Sequence, residues 1–149
     1  MRSLLTIVAA VCVPSLAYGQ AATWRDSALK ACQTDTCRNS VDAYYDQSVS
    51  RGVRFMTCVE TFSLANALSS NEAAQRVARS GVDACGRELN EYRAATRLMI
   101  TNDPRGKNPA QKSLEDQLTK SLVENATSQV IPRILVLRAE RKQTPDDSQ

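Results

Sequence analysis

Histidine is missing altogether from the 149 residues. Its absence excludes Ser-His-Asp and Cys-His nucleophilic arrangements, Cys/His zinc fingers and the c-type haem attachment motif. Proline is missing between Trp24 and Asp103, and the glycines of that stretch are only Gly52, Gly81 and Gly86. Eighty residues without a strong breaker favour long helices. No charge dominates: 19 basic residues against 16 acidic leave a net charge of +3, too small to announce a nucleic-acid binder. No apolar run approaches the roughly 20 residues that span a bilayer. Glycine-rich phosphate loops and nucleophile-elbow patterns are also absent.

What is present fits one globular domain, with 42% apolar and 23% charged residues. The chain opens on Met1-Arg2-Ser3, followed by an apolar run from Leu4 to Val13 and the breaker Pro14-Ser15. Ala17-Tyr18-Gly19 then places small residues where a signal peptidase reads. Residues 1–19 are therefore expected to be a secretory signal peptide, cleaved after Gly19. A membrane anchor would need about twice that apolar length. Acylation at Cys12 fits poorly with Ala9 and Val11 before it.

Cleavage there removes Arg2 and Cys12, leaving 130 residues, 18 basic and 16 acidic groups, and Cys32, Cys37, Cys58 and Cys85. An even cysteine count in an exported chain reads as two disulfides. Arginine outnumbers lysine 14 to 5, a composition that leans towards a GC-rich bacterial genome and so towards the periplasm or extracellular space. Asn125-Ala126-Thr127 has the form of a glycosylation sequon, which in that setting is a chance occurrence.

The pattern reads as all-α: a small disulfide-reinforced helical bundle built on a long antiparallel αα-hairpin. Residues 20–142 form the single helical domain, and 143–149 a disordered tail. Thr23, with Asp26 three residues on, is expected to cap a first short helix. Gln33 to Thr36 make a turn, and Asp35 or Thr36 caps the second helix. That helix carries Val41, Tyr45, Ser48, Gly52, Phe55, Val59 and Phe62 at alternating spacings of four and three, and runs to about Leu68. Ser69 and Glu72 have capping-box spacing for a third helix, with the stripe Ala78, Val82, Cys85, Leu89, Tyr92, Thr96 and Met99.

Asn102 to Lys107 is a loop, and Asn108-Pro109 starts a fourth helix along Leu114, Leu118, Leu122, Ala126 and Val130. Pro132 is expected to break or kink it. Ile134 to Lys142 then forms a short terminal segment.

Folding the hairpin about its turn pairs stripe positions whose numbers add to about 144. Gly52 then faces Tyr92, and Ser48 faces Thr96. The midpoint of Cys58 and Cys85 also falls in the turn, which predicts that they bridge. Cys32 and Cys37 stand too far apart to bridge within one unbroken helix, and are expected to bridge across the turn between the first two helices.

Candidate chemistry is thin. Glu88 with Glu91, and Glu115 with Asp116, read as solvated helix faces. No catalytic, cofactor or metal site is expected. The cysteine spacing suits neither a thioredoxin-type redox motif nor a four-thiolate zinc site. Arg133, Arg138, Arg141 and Lys142 surround Ile134, Leu135, Val136 and Leu137, a combination that could meet an anionic envelope surface or a protein groove. The competing reading is a terminal helix packed on the bundle, its basic end favoured by the helix dipole.

Glu88-Leu89-Asn90-Glu91-Tyr92-Arg93 resembles a stretch in a group of small exported bacterial proteins, the LprI-type lysozyme inhibitors. The likeness covers six residues, and the tryptophan segment and later cysteine of that group have no counterpart downstream. It implies inhibition of a cell-wall enzyme as one form of binding.

The expected function is thus an exported, non-enzymatic helical binding or interaction protein. Its partner would be a protein or the envelope surface, with no nucleic acid and no membrane span after cleavage. The alternatives are a small secreted hydrolase or transferase using carboxylates or serine, and a carrier of an apolar ligand.

Overall fold

The computed structural model describes residues 16–107 and 110–143. Five helices follow in order: α1 Leu16–Ala31, α2 Asp35–Ala67, α3 Ala74–Ala84, α4 Gly86–Thr101 and α5 Gln111–Gln143. The architecture is the expected all-α bundle, and both expected disulfides are present, Cys32–Cys37 and Cys58–Cys85. No helix among the described residues is long and apolar enough to cross a membrane.

α2 is the spine. Its 33 residues span roughly 50 Å at ~1.5 Å rise per residue. α3 and α4 return along it, and α5 packs on α2, α3 and α4. Two apolar clusters fill the interior. One joins Phe55, Val59, Ala67, Val77, Ala78, Tyr92, Leu122, Val130 and Ile134. The other gathers Trp24, Ala28, Val41, Met99, Ile100 and Leu118, and holds α1 against the far end of the hairpin.

The hairpin register follows the sequence arithmetic. Ser48 Oγ and Thr96 Oγ1 share a buried hydrogen bond of 2.9 Å. A Cβ built on Gly52 would meet Tyr92 Cδ2 and Cε2 at 3.4 Å. About three turns nearer the hairpin end, a Cβ on Gly81 would stand 2.2 Å from Ser63 Oγ and 3.1 Å from the Val59 carbonyl oxygen. The missing side chain of Gly81 therefore sets how closely α3 approaches α2.

Several local expectations are corrected. α1 is already helical from Leu16, the first described residue, and the Thr23 hydroxyl donates back to the Gly19 carbonyl at 2.8 Å inside the helix instead of capping it. Thr34, one residue before the expected candidates, caps α2 from an extended backbone. Its hydroxyl accepts from the Cys37 amide at 3.2 Å. Cys37 thus carries both the cap bond and the bridge to Cys32. The Ser69–Glu72 capping box does not form: Ser69 Oγ donates to the Asn66 carbonyl, Ser70 Oγ accepts from the Glu72 amide, and α3 starts at Ala74 behind Ala73, with no side-chain cap.

The expected third helix is two helices, parted at Cys85. Its amide is shared between the Gly81 and Val82 carbonyls, at 3.1 and 3.2 Å, and its carbonyl accepts from Leu89 in the next helix. Glycines on either side, at 81 and 86, weaken helical continuity by about 1 kcal/mol each relative to alanine. The bridge to Cys58 fixes the joint.

Phe62 does not join the core and is 38% exposed; Ser63 and Ala67 are buried instead. A strict alternation of four and three drifts around a straight helix of 3.6 residues per turn. The buried set therefore moves to Phe55, Val59, Ser63 and Ala67 where α3 replaces α4 as the neighbour. Tyr45 is half-buried, beneath the Arg25 guanidinium at 5.3 Å.

Pro132 neither breaks α5 nor ends it, and the expected short terminal segment is its continuation to Gln143. The proline is exposed, so its ring faces solvent rather than the packed side. Asn108-Pro109, residues 1–15 of the expected signal peptide and residues 144–149 of the expected tail lie outside the described residues.

Candidate functional site

The C-terminal half of α5 is apolar on two sides. Val130 and Ile134 are buried and Ile131 and Leu137 pack against them, all on the bundle side. Pro132, Leu135, Val136 and Ala139 are exposed, with Leu135 at 54% and Val136 at 57%. Spacings of three, four and seven residues place those four on one face, where they form a ridge two turns long. The structure therefore divides the apolar quartet 134–137, sending Ile134 and Leu137 inwards and Leu135 and Val136 outwards.

The basic residues around the quartet have separate fates. Arg133 pairs with Glu60 across the α2–α5 groove. Arg138 spreads its guanidinium over the α2–α3 turn: Nε donates to the Ala67 carbonyl at 2.8 Å, Nη1 to Glu72 and Nη2 to Ser70, both at 2.7 Å. Arg141 donates to the Leu68 carbonyl. Helix α2 thus ends on arginines from α5, which satisfy carbonyls that a helix terminus leaves unpaired. Arg138, Arg141 and Lys142 line one concavity of about 410 Å³ with Ala67, Leu68, Ser70 and Asn71. Arg133 stands apart, in a groove of about 200 Å³ between α2 and α5.

A second exposed apolar surface lies between α2 and α4. Its volume is about 820 Å³, and its lining includes Val53, Thr57, Phe62, Ala65 and Cys58 of the bridge. It is open to solvent rather than an interior chamber. The Glu88–Arg93 stretch contributes to it unevenly. Tyr92 is buried against Gly52, Leu89 packs on the core, and Asn90 and Arg93 face solvent. Only Glu88 and Glu91 line the groove. Arg51 pairs with Glu91 at 2.5 Å, and Arg87 with Glu88 at 2.9 Å.

Glu88 is held as an anion. Hydrogen bonds from the Arg87 guanidinium and from its own backbone amide keep the Glu88 carboxyl below its ordinary range. Such a shift suits an ion-pair partner and not a proton donor at neutral pH. Glu115 lies across from Arg97, whose Nη2 and Nε donate at 2.8 and 3.1 Å, while Asp116 is exposed. Glu88 also comes near the bridge, 3.8 Å from Cys58 Sγ. These three side chains could offer a metal two sulfurs and an oxygen, but the disulfide bond occupies the sulfurs that would ligate as thiolates.

The sequon asparagine is no acceptor in the folded chain. Asn125 is buried, and its Oδ1 accepts from Gln129 at 3.0 Å.

The outward ridge was legible in the spacing of Pro132, Leu135, Val136 and Ala139, but Ile134 and Leu137 obscured it. The α2–α4 groove left no such trace, because Val53 and Phe62 fall outside any common stripe. Comparisons with protein-family models, curated proteins and solved structures return no match to this chain.

Proposed function

We propose that the chain is exported, with residues 1–19 as a signal peptide cleaved after Gly19, and acts in the periplasm or extracellular space as a non-enzymatic helical binding module. Two disulfides support an oxidising destination. The contact surface is the outer ridge of α5, which inserts Leu135 and Val136 into an apolar groove of a partner protein. The single observation behind this is that two large aliphatic side chains, each more than half exposed, share one helix face with Pro132 and Ala139. Presenting such a stripe to a groove is a recurrent mode of helix recognition.

The basic residues set the partner's character. Lys142 is exposed beside the ridge, so carboxylates on the partner's rim would complement it. An anionic bilayer fits less well. Arg133 points to Glu60, and Arg138 and Arg141 to backbone carbonyls, so their charges are directed into the fold rather than towards a lipid surface. The resemblance of Glu88–Arg93 to lysozyme inhibitors keeps a cell-wall enzyme among the candidate partners.

The test is affinity capture from the native compartment with the wild type and with a Leu135→Asp/Val136→Asp double variant. One protein recovered in stoichiometric amount by the wild type, and lost with an equally stable variant, is the expected result. Equal recovery by both would remove the ridge from the interface. Binding of the wild type to anionic vesicles alone would move the partner to the envelope surface.

A further inference from the structure

We infer that Gln20 becomes a pyroglutamyl residue in the mature chain. The inference rests on the export reading above, since it needs cleavage after Gly19.

The structure shows what cleavage at that bond leaves behind. α1 runs through it from Leu16 to Ala31. Gly19 and Gln20 are both exposed, whereas Ala21, Trp24 and Ala28 are buried in the second core cluster. Trp24 Nε1 also donates to Asp103 Oδ2 at 3.0 Å. Buried anchors of α1 therefore lie downstream of the cleavage point, starting at Ala21. The remainder, Gln20 to Ala31, keeps the buried Ala21, Trp24 and Ala28 that pack α1 on the second core cluster, and Gln20 becomes its first residue.

A new α-ammonium group at that place sits on the positive end of α1, beside amides with no helical partner. Gln20 can remove the charge without any other reactant. Its side chain is exposed. An α-amino group titrates at about 7.7–8.0, so a fraction of it is neutral near pH 7. The neutral α-nitrogen attacks Cδ of the same residue and closes a five-membered ring. A bond from the α-nitrogen to Cδ forms, and the bond from Cδ to Nε2 breaks. Nε2 leaves as ammonia, carrying a proton from the α-nitrogen, and nothing is oxidised or reduced. The product is a neutral lactam at the start of α1, with no amine for an aminopeptidase to engage.

Intact-mass measurement on the exported protein, with labelling by an amine-acylating reagent followed by peptide mapping, tests the inference. The expected mass is that of residues 20–149 with both disulfides, less one ammonia, and the first peptide takes no label at its N-terminus. A Gln20→Asn variant, whose shorter side chain cannot close the same ring, should keep its ammonia and accept the label. A chain beginning at Gln20 with the full mass and a labelled N-terminus would overturn the cyclisation and leave the cleavage site standing. A chain beginning at Met1 or any other residue would overturn the cleavage reading and this inference together.

Discussion

Gly52 lies against the ring of Tyr92, where a Cβ would stand 3.4 Å from Cδ2 and Cε2 and 3.7 Å from Leu122 Cδ1. The space holds a methyl group at contact distance and nothing larger. Gly52→Ala should be neutral or stabilising by up to about 1 kcal/mol, the helix-propensity gain. Gly52→Leu should overpack the α2–α4–α5 junction and cost roughly 1–3 kcal/mol. Urea denaturation of the two variants checks both signs.

Gly81 is the stricter position. An added Cβ would press on Ser63 Oγ at 2.2 Å and on the Val59 carbonyl oxygen at 3.1 Å. Gly81→Ala should therefore destabilise by about 1–3 kcal/mol despite its better helix propensity. Ser63 Oγ is buried without a hydrogen-bond partner, so Ser63→Ala alone should be neutral or mildly stabilising. Combined, the two changes should cost less than Gly81→Ala alone, a coupling that a double-mutant cycle measures.

Replacing Cys58 and Cys85 together with alanine opens the bridge that spans the hairpin. A loop of this length contributes roughly 3.5 kcal/mol in the chain-entropy description. Thermal unfolding of the double variant should show a lower midpoint, and non-reducing peptide mapping of the wild type should recover only the 58–85 and 32–37 pairs.

Asp103 ties the α4–α5 loop to α1. Burial pushes its pKa up, but hydrogen bonds from the Arg105 side chain and backbone, the Arg105 charge and the Trp24 indole together hold the carboxyl below its ordinary value. A carboxyl depressed in the folded state adds stability that is complete above its unfolded pKa of about 4 and disappears as pH falls through the folded value. Stability of the wild type should thus fall below about pH 4. Asp103→Asn should show a shallower fall in that window, and be less stable by about 1–3 kcal/mol at neutral pH. Urea midpoints taken across the acid range decide it.

The long-range features of the hairpin were readable from residue numbers because antiparallel packing is a linear relation. Ser48 with Thr96, Gly52 with Tyr92 and Cys58 with Cys85 all follow from one turn position. Local termini were less readable. Thr34, Asp35 and Thr36 can each cap a helix, and the choice fell to the residue whose hydroxyl reaches the Cys37 amide. Gly81 and Gly86 weaken the helix around Cys85, but the place of the break is set by the bridge to Cys58, and the loss of Phe62 from the stripe by α3 replacing α4 as the neighbour, both of which depend on the packed fold. At the candidate site, sequence located the Arg133–Lys142 segment but not the direction of its charges. The arginines became ligands of Glu60 and of the α2 terminus because those carbonyls and that carboxylate come near only after folding.

The proposed contact between the outer ridge of α5 and a protein partner can be tested in the proposed compartment of export. Placing a photo-crosslinking side chain at position 135, with a second chain labelled at exposed Asn90 as control, tests it in that compartment. Leu135 is exposed, so its replacement should alter stability by no more than about 0.5 kcal/mol. If the ridge is the interface, position 135 gives one protein adduct, absent from position 90 and lost when Val136→Asp is added. Failure to form any protein adduct at position 135, or an adduct indifferent to Val136→Asp, would contradict it.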